Sequence, residues 1–573
     1  MKRRLITSNI NSLISSSEEN IFLGDWCFVG KNIQERQNFN FKKIRYHFNE
    51  PNKLKKDYKY LNNLYPKILI ALSNFLNDFH KTNYSKRYWE IVIGPTLVQL
   101  LSVFWDRWEL INKAVKTEKI DCVPVVDYKI KDFISQDFND IFTNKLDSHF
   151  WNNCIFAEII NESHKLNILK IENKNFNNQS DYVNQDLESS HRFKFFDKIL
   201  SKFTNETNLI YKLNLGNKNF LKYVFYHKKI FRSYSEFSKK IKLEKPIERN
   251  FFLGFDTKNN FEKMISKKLL FFFPLSHLEG FKNVQTEARK IKLNPKYIIT
   301  AFGHVVNDLF KIWVAEKVEG KKSKLIISSH GGYVQNPINF NSWTNISDKF
   351  ISWEKLNTKK TIQLPPLYLR NNKKKIIKKN KQILFCTSNT NLYAYRIEDY
   401  IISAQILECL KLWKNFFLSL DDGIKDKIII RHVPGFDPWK QKDQLSKIFK
   451  HNAISRKKEF IDELKVSKIV INTSMQTTFF ESMDYGVPTL VLLKDDLWNL
   501  SKKGMSIYKN LKKNNIIFTD FKKLNKHLIK IYDQPNLWWN QKKIVEVREE
   551  FHQHYCKKKN FDDWNQFFSK LDL

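Results

Sequence analysis

The sequence predicts an α/β protein built from two doubly wound parallel domains that face each other across a cleft. The main support is a series of short apolar segments, each ending in polar residues and followed by a helical pattern. Strands that alternate with helices form parallel sheets through right-handed crossovers. A lysine-rich seam at residues 371–381 divides the series and has the composition of a linker. The predicted strands are 297–303 and 324–332 before the seam, and 382–388, 427–434, 467–473, 488–493 and 515–520 after it.

The amino-terminal domain, which we place at residues 1–375, begins with a predicted strand at 21–27 that ends in a Gly-Asp pair. Open α/β sheets place ligand contacts just past the carboxyl ends of their strands. Asp25 is therefore a candidate catalytic carboxylate, although an aspartate that only forms a turn explains the pattern equally well. Residues 53–80 and 86–115 have the apolar spacing of long helices, so the domain carries an N-terminal helical elaboration.

The middle of this domain is less regular. Residues 160–265 are polar and rich in Asn and Lys, which predicts an insertion to which the sequence assigns no function. Residues 269–273 are continuously apolar and predict a buried strand that runs into a loop holding Ser276, His277 and Glu279. Glu279 follows a predicted strand end and is a second candidate carboxylate base.

His330 is the strongest single catalytic candidate. It stands at the end of the predicted strand 324–332 and is followed by Gly331 and Gly332. Glycines let a backbone approach a ligand closely and leave N–H groups available to an anion. A neutral imidazole can take a proton from an attacking hydroxyl near pH 7. The structural alternative is a histidine that caps a turn.

The second domain, which we place at residues 376–535, should carry its polar groups on one sheet edge. The carboxyl ends of parallel strands meet at the same edge, so these groups should gather in the cleft opposite His330. A guanidinium suits a phosphate because its charge is fixed and its donors form a planar fork. Residues 536–573 predict a helical segment that packs back on the first domain. The polar groups are Ser388 and Asn389 after the first strand, Arg431 and His432 after the second, and Ser474 after the third.

Residues 467–493 predict a strand, a polar turn, a helix, a Gly/Pro break and a second strand. Ser474, Thr477 and Thr478 lie where the helix begins, and the unpaired N–H groups and positive dipole end of a helix start suit a phosphate. Glu481 falls on the same helix face, one turn further on, where a carboxylate could accept hydrogen bonds from ribose hydroxyls. A capped helix in an α/β core explains the same pattern without a ligand.

Composition limits the classes of function that fit. The 573 residues are 42% hydrophobic and 15% aromatic, which excludes a disordered chain. The formal net charge of +38 would suit a polyanion, but the lysines are spread along the chain and no nucleic-acid motif accompanies them. We therefore expect no specific nucleic-acid partner. We assign the charge to solvated surface and to the attraction of anionic substrates or an anionic membrane.

The cysteines and apolar segments favour the cytoplasm. Six cysteines are scattered, with no Cys-x-x-Cys pair and no Cys/His cluster at metal-ligand spacing. The basic N-terminus lacks the apolar core of a signal peptide. The longest mostly apolar stretch, residues 91–105, is shorter than the roughly 20 residues that a membrane span needs. We expect a cytoplasmic protein with peripheral contact to the inner face of the cell membrane.

Several motifs, in order and at matching spacing along nearly the whole chain, resemble the LIC12162 family of transferases. The resemblance implies a GT-B-like fold of two Rossmann-like domains and an association with bacterial surface-carbohydrate loci. The chain departs from the family pattern at Ser329 and Val334, which flank the His-Gly-Gly motif, and at residues 436–439. The motifs are FLGDWC (22–27), RYWEIVIGP (87–95), FPLSHLEGF (273–281), SSHGGYV (328–334), RHVPGFDPW (431–439), NTSMQTTFFESMDYGVPTLVLL (472–493) and LWW (537–539).

This resemblance implies a glycosyltransferase that moves a sugar from a nucleotide-sugar donor to a surface-glycan, lipid or protein-glycan acceptor. The transfer would be a direct displacement with a histidine or carboxylate base. The donor phosphate would lie at residues 474–478, Arg431 and His432 would neutralise its charge, and Glu481 would hold the ribose. No Asp-x-Asp triplet of the metal-dependent type occurs, so we expect no essential metal and no cofactor. The alternatives are a polyol-phosphate transferase of the CDP-glycerol type and a non-enzymatic polyanion-binding protein.

Overall fold

The structure is a computed structural model that describes residues 2–572 with gaps. The longer gaps are 31–40, 173–181, 185–207, 214–220, 333–341 and 367–380. The shorter gaps are 51, 165, 222, 225, 228–229, 233–234, 357, 398–399, 450–452, 498–499 and 557–560. Val334 and most of the predicted linker 371–381 therefore lie outside the described residues.

Both predicted parallel sheets are present, and we call them the second and third sheets by their order along the chain. Neighbouring strands run parallel, with Thr300 beside Ile327 in the second sheet and Phe385 beside Ile471 in the third. The central strands are buried on both faces because helices cover them. In spatial order the second sheet contains Thr361–Gln363, Lys349–Ser352, Lys324–Ser328, Tyr297–Thr300, Asn208–Tyr211 and Ile230–Arg232. The third contains Ile428–Arg431, Gln382–Cys386, Ser467–Asn472, Thr489–Leu492 and Ile517–Phe518.

A smaller parallel sheet, the first sheet, lies at the amino terminus. Three of its strands are hydrogen-bonded to one another, and hydrogen bonds at Cys122 link them to a further parallel pair. The strand predicted near residue 21 belongs to this sheet and not to the sheet that carries His330. Asp25 therefore lies at the edge of a different sheet from His330. The five strands are Arg3–Ile6, Glu19–Phe22, Phe41–Lys43, Val123–Val126 and Ile168–Ile171.

Helices connect and cover the sheets. The two long predicted helices are observed at Lys53–His80 and Lys86–Thr117 and pack against each other. The second is long and apolar enough to cross a membrane, but 83% of its most apolar window is buried inside the protein, as in a core helix. Other helices of eight or more residues in the described part are His149–Ser163, Asn260–Lys268, Phe281–Arg289, Asp308–Glu319, Gln405–Leu418, Thr477–Tyr485, Lys502–Lys513, Phe521–Tyr532, Lys542–Tyr555 and Phe561–Asp572.

The prediction of a strand at 269–273 is wrong. Leu270–Phe272 forms a 3-10 turn, and the side chains of Leu270 and Phe272 are buried in the core. A continuous apolar run does not separate a strand from another buried conformation. Here the buried Arg249 guanidinium donates from Nη1 to the carbonyls of Leu270 at 3.1 Å and Phe273 at 2.5 Å. That side chain satisfies backbone oxygens that a neighbouring strand would otherwise have to pair.

The interpretation of residues 160–265 as an insertion is also wrong in part. Asn208–Tyr211 lies inside the second sheet, between Tyr297–Thr300 and Ile230–Arg232. All four of its residues are buried. An apolar core of three residues among many Asn and Lys is too short to stand out by periodicity.

The loop 387–404, which follows the first strand of the third sheet, inserts into the amino-terminal half. The wholly buried Arg107 guanidinium donates to the carbonyl of Ala394, to Asn152 Oδ1 at 2.7 Å and to Asp106 Oδ2 at 2.8 Å. It also lies 5.3 Å from the centre of the buried Tyr393 ring. The apolar pattern of residues 396–418 predicts a helix, but the loop occupies the first part of this stretch and the helix begins only at Gln405.

A second anchor of this loop is Asp147. Its carboxylate accepts hydrogen bonds from the Leu392 N–H at 2.7 Å and from Asn391 Nδ2 at 3.0 Å. Burial raises the pKa of Asp147 to about 6, although these donors oppose the shift. The Tyr393 hydroxyl meets His149 Nδ1 at 2.8 Å. Helix His149–Ser163 and the turn before it therefore hold the loop in place.

The carboxyl-terminal helices return to the second sheet. The Trp564 indole N–H donates to the Pro365 carbonyl at 2.8 Å. Trp564 and Phe568 pack with Ile299 and Ile326 of the central strands. The second sheet is therefore covered by residues from the far end of the chain.

Replacing Arg107 by Met should destabilise the protein by about 3–5 kcal/mol, because it removes the buried cation beside Asp106 and the donor to the Ala394 carbonyl. The urea midpoint measured by tryptophan fluorescence reports the loss. The matched control is Arg289→Met, since the Arg289 side chain is 56% exposed in its pair with Glu316 and exposed pairs contribute about 0–1 kcal/mol. Equal small shifts in both variants would contradict the anchoring role.

Candidate active site between the second and third sheets

The His-Gly-Gly loop of the second sheet contacts the start of helix Thr477–Tyr485 on the third sheet. The Thr477 hydroxyl donates to the Gly332 carbonyl at 3.4 Å. A Cβ at Gly331 would lie 2.9 Å from Thr477 Oγ1, and a Cβ at Gly332 would lie 2.4 Å from the Trp353 ring. The glycines therefore allow the two sheet edges to meet. The structure brings together the His330 loop and the helix start that the sequence predicted to face each other.

The start of helix Thr477–Tyr485 has no side-chain cap. Gln476 occupies the N-cap position in an extended conformation and makes no capping hydrogen bond through its side chain. The buried Ser474 hydroxyl contacts Gln476 Oε1 at 3.4 Å instead. Thr477 and Thr478 are half-buried at the opening. The first N–H groups of a helix have no intrahelical acceptor and carry the positive end of its dipole, so this opening keeps the character of an anion site.

The polar turns after the strands of the third sheet are tied to one another. Thr473 Oγ1 donates to the Cys386 carbonyl at 2.9 Å and meets Ser388 Oγ at 2.9 Å. Asn389 Nδ2 donates to the Phe436 carbonyl at 2.8 Å. Gln441 Nε2 donates to the Ser388 carbonyl and to Asn389 Oδ1, each at 3.0 Å. Ser388 and Asn389 thus hold neighbouring loops in register, and their contact with a substrate stays a prediction.

Glu481 and Arg431 interact electrostatically beside this helix. Burial raises the pKa of Glu481 to about 7, the positive charge of Arg431 opposes the shift, and Asp484 and Glu459 reinforce it. The Arg431 guanidinium donates to the carbonyls of Lys457 at 2.8 Å and Lys458 at 3.0 Å. Glu481 is therefore held between its charged and neutral forms near pH 7.

His432 offers a hydrogen bond and not a charge at neutral pH. Burial lowers its pKa to about 4. Its Nδ1 meets Thr387 Oγ1 at 3.2 Å, and its buried Nε2 has no hydrogen-bond partner in the part of the chain that the structure describes. Of the two candidates at the end of this strand, Arg431 is therefore the one that carries a positive charge.

His330 is accessible and held in a defined orientation. Its side chain is exposed to solvent at the outer edge, and its ring stacks on Phe302 with centroids 4.5 Å apart and planes inclined by 23°. Partial burial of the imidazole lowers the pKa of His330, and the positive charge of Arg396 lowers it further. The imidazole is neutral near pH 7, as a base must be.

The structure does not bring the two candidate carboxylates to His330. Asp25 pairs with Lys43, with Nζ 2.6 Å from Oδ1, at the edge of the first sheet. Glu279 forms a two-pronged pair with Arg249, at 2.5 and 2.8 Å, in which its side chain is only 3% exposed. Within the described residues, no hydrogen bond or ion pair links either carboxylate to His330.

Four residues beside His330 were missed by the sequence analysis. Phe302 lies within the predicted strand 297–303 and just after the observed strand Tyr297–Thr300, but nothing in its spacing marks it as a site residue. Arg396 begins the stretch 396–418, whose apolar pattern predicts a helix, and Tyr395 comes directly before it. Phe142 lies in a π-helical turn, Ile141–Lys145, and such turns occur often at functional sites. Residues 393–396 read Tyr-Ala-Tyr-Arg. This cluster of aromatic and basic side chains was the one feature of the sequence that could have indicated a binding site here.

One group among the described residues has metal-ligand types within reach of a single ion. His47, Asp57 and Glu109 offer ligand atoms within 4.8 Å of one another. The Lys53 ammonium lies 2.8 Å from Asp57 Oδ2 and 2.5 Å from Glu109 Oε2. That ammonium supplies positive charge at this group, which is built from the turn His47–Asn49 and the two long helices and not from the strand ends that carry the candidate site residues.

A cavity of about 580 Å³ opens at the opposite edge of the third sheet from the helix start. It lies beside Asn514 and Asn515, which precede the edge strand Ile517–Phe518, whereas the residues considered above follow strand ends. Lys513 and Lys530 are among its lining residues. The cavity is therefore separate from the candidate active site.

Comparison with known proteins gives a match over nearly the whole chain. A family model described as LIC12162 family transferase matches residues 3–571. No curated protein gives a significant match. The α/β fold with two facing parallel sheets is the GT-B-like arrangement.

Solved structures are similar over parts of the chain. The wall teichoic acid polymerase TagF is 10% identical, with 67% of this chain and 94% of that chain covered and a TM-score of 0.31. WaaG, a glycosyltransferase involved in lipopolysaccharide biosynthesis, is 8% identical, with 47% and 89% covered and a TM-score of 0.26. The glycotransferase of kitacinnamycin is 8% identical, with 48% and 77% covered and a TM-score of 0.28. Likeness at this level carries no inference about substrates.

Replacing Gly332 by Ala should separate the two sheet edges, because the added Cβ meets the Trp353 ring at 2.4 Å and Phe480 at 2.8 Å. Overpacking of this kind costs about 1–3 kcal/mol, measured as a lowered melting temperature. The matched control is Gly254→Ala, where a Cβ meets nothing within 4 Å and the expected change is within about 0.5 kcal/mol. Unchanged melting of Gly332→Ala would contradict the close contact.

Replacing Glu481 by Gln should stabilise the protein at neutral and higher pH. The folded-state pKa of about 7 exceeds the ordinary value of 4.5, so wild-type stability falls as pH rises from about 4.5 to 7 and the deficit persists above that range. Glutamine carries no such deficit, and each unit of pKa shift corresponds to about 1.4 kcal/mol. Melting temperatures at pH 4.5 and 8 test this, with the exposed Glu408→Gln as control. A gain at pH 4.5 equal to that at pH 8 would count against it.

Proposed function

Since the chain belongs to the LIC12162 family of transferases, we propose that it is a glycosyltransferase that uses a nucleotide-sugar donor and a surface-glycan, lipid-linked or protein-glycan acceptor. The observation that carries the proposal is the contact between the His-Gly-Gly loop and the uncapped start of helix Thr477–Tyr485. The contact supports the proposal because His330, a neutral and accessible imidazole, and an uncapped helix start lie on adjoining edges of two parallel sheets. A base beside a phosphate site is what a displacement at a glycosyl phosphate requires.

The third sheet binds the donor in this proposal. Ser474, Thr477 and Thr478 surround the donor phosphate at the helix start, where backbone N–H groups and the helix dipole favour an anion. Arg431 adds a fixed positive charge near the departing nucleotide. Glu481 holds the ribose, and its pKa of about 7 suits a carboxyl group that exchanges hydrogen bonds with two hydroxyls.

His330 acts as the base. Its pKa is lowered, so the ring is neutral near pH 7 and can accept the proton of the attacking acceptor hydroxyl. Asp25 and Glu279 are weaker choices because Lys43 and Arg249 hold them in ion pairs. Gly331 and Gly332 have no side chains, which lets the acceptor and the donor approach each other closely beside this loop.

Charge developing on the leaving nucleotide is stabilised by the helix start and Arg431, which can do the work that a metal does in other transferases. We therefore propose that transfer requires no metal and no cofactor. Retention of activity in excess chelator is the expected result. The protein works in the cytoplasm, in peripheral contact with the inner face of the membrane that bears lipid-linked acceptors.

The two alternatives make different predictions. A polyol-phosphate transferase would use the same groups but add the mass of a phosphorylated polyol to its product, which mass spectrometry distinguishes from a sugar. A non-enzymatic polyanion binder would bind any polyanion with steep salt dependence. It would lose nothing on Glu481→Ala, which only raises the positive charge.

A thermal-shift panel of CMP, CDP, UDP, GDP and their sugars should show stabilisation by one nucleotide class. His330→Ala should retain that shift but lower turnover by roughly 10²–10⁴-fold, the usual contribution of a general base. Wild-type kcat/KM should fall as pH drops through the lowered pKa of His330, below 6.5.

The outcomes separate the parts of the proposal. No shift with any nucleotide would overturn the donor assignment. Wild-type turnover by folded His330→Ala would overturn the base assignment and leave the donor assignment intact.

A further inference from the structure

A chain of ring contacts runs from His330 to Arg396. The His330 ring stacks on Phe302 at 4.5 Å, and Phe302 meets Phe142 at 6.2 Å. Phe142 meets Tyr395 at 6.4 Å, and the Arg396 guanidinium lies 4.7 Å from the Tyr395 ring centre. We call these five residues the aromatic mouth. Four parts of the chain build it: a π-helical turn, two strand ends of the second sheet, and the inserted loop of the third sheet.

The aromatic mouth is open to solvent. His330 is exposed and the other four residues are half-buried, whereas Phe138, Val305 and Val306 behind them are buried. Half-exposed aromatic side chains around a polar group are typical of the lining of ligand sites. The flat rings of Phe302 and Phe142 offer an apolar surface to the C–H face of a sugar.

The charge at one end of the mouth is positive. The Arg396 Nη2 donates to the Tyr395 hydroxyl, which orients the planar fork. Its charge reaches His330, whose pKa it helps to lower. A planar guanidinium binds carboxylate and phosphate through paired hydrogen bonds.

We propose that the aromatic mouth is the acceptor site and that the acceptor is a saccharide bearing a negative charge, a carboxylate or a phosphate, which Arg396 binds while a hydroxyl is presented to His330. This rests on the proposed function, because it gives His330 the role of base. The sugar lies against Phe302 and Phe142 between the two polar ends. The donor site across the cleft, at helix Thr477–Tyr485, is left free for the nucleotide.

Binding of simple probes tests this independently of turnover. Glucose, glucuronate and glucose 6-phosphate are titrated by ligand-observed NMR against protein saturated with the nucleotide that the thermal-shift panel identifies, so that the donor phosphate site is filled. The anionic probes should bind at least tenfold more tightly than glucose. The stronger of the two identifies the charged group as carboxylate or phosphate.

Variants locate the effect. Arg396→Gln should reduce the affinity for the anionic probe by tenfold or more, to that for glucose, with an unchanged nucleotide shift that shows the protein is folded. Arg396→Lys should recover part of the loss. The control Arg289→Gln removes a positive charge from an exposed pair on another helix and should change nothing.

Equal affinity for the three probes, no binding of any probe, or an unchanged affinity in Arg396→Gln would overturn the proposal. None of these results would alter the nucleotide shift. Conversely, absence of that shift would overturn the donor assignment. In that case the same titration is run without nucleotide. A loss of affinity for the anionic probe in Arg396→Gln would still show that the aromatic mouth prefers an anionic ligand.

Discussion

The buried Arg107 guanidinium is the interaction on which the position of the cleft depends. It joins helix Lys86–Thr117 to the loop that follows the first strand of the third sheet, through the Ala394 carbonyl and the Tyr393 ring. A buried guanidinium is tolerable only when its donors are satisfied, and here Asp106 and Asn152 complete the set. Withdrawal of the loop would remove the Ala394 carbonyl and the Tyr393 ring from the buried guanidinium and leave part of its donor set unsatisfied. Tyr395 and Arg396, two residues beyond the anchor, are consequently held beside His330.

A second constraint is the dense pairing of polar side chains at the strand ends of the third sheet. Thr473, Ser388, Asn389 and Gln441 are hydrogen-bonded to one another or to nearby carbonyls, which ties the turns around the helix start together before any ligand arrives. Preorganised donors stabilise charge without reorganisation during a reaction. Glu481 is different because burial penalises its ionisation. The charged form of Glu481 therefore destabilises the folded state. Functional sites often contain such groups.

The sequence could predict the parts of the site that follow strands, because the carboxyl ends of parallel strands must share an edge. His330 and Thr477 were predicted to face each other on that argument, and their loops touch. It could not reveal Arg396, since the position of a loop depends on tertiary anchors such as Arg107. The strand Asn208–Tyr211 was not predicted because its short apolar run stands among many polar residues. The apolar run 269–273 was misread because Arg249 satisfies its carbonyls in place of a strand partner.

The local charges, and not the total of +38, distinguish the two sides of the cleft. Lysines spread over an exposed surface are screened within about 10 Å at 0.1 M salt, so they attract anions in general and select none. Arg431 acts beside a carboxyl group, Glu481, and so this side suits a ligand with both an anion and hydroxyl donors. Arg396 lies beside aromatic rings and near a neutral imidazole. That side therefore suits a ligand that has both an anionic group and an apolar face. Two arginines in such different surroundings are consistent with the proposal that each side of the cleft binds a different substrate.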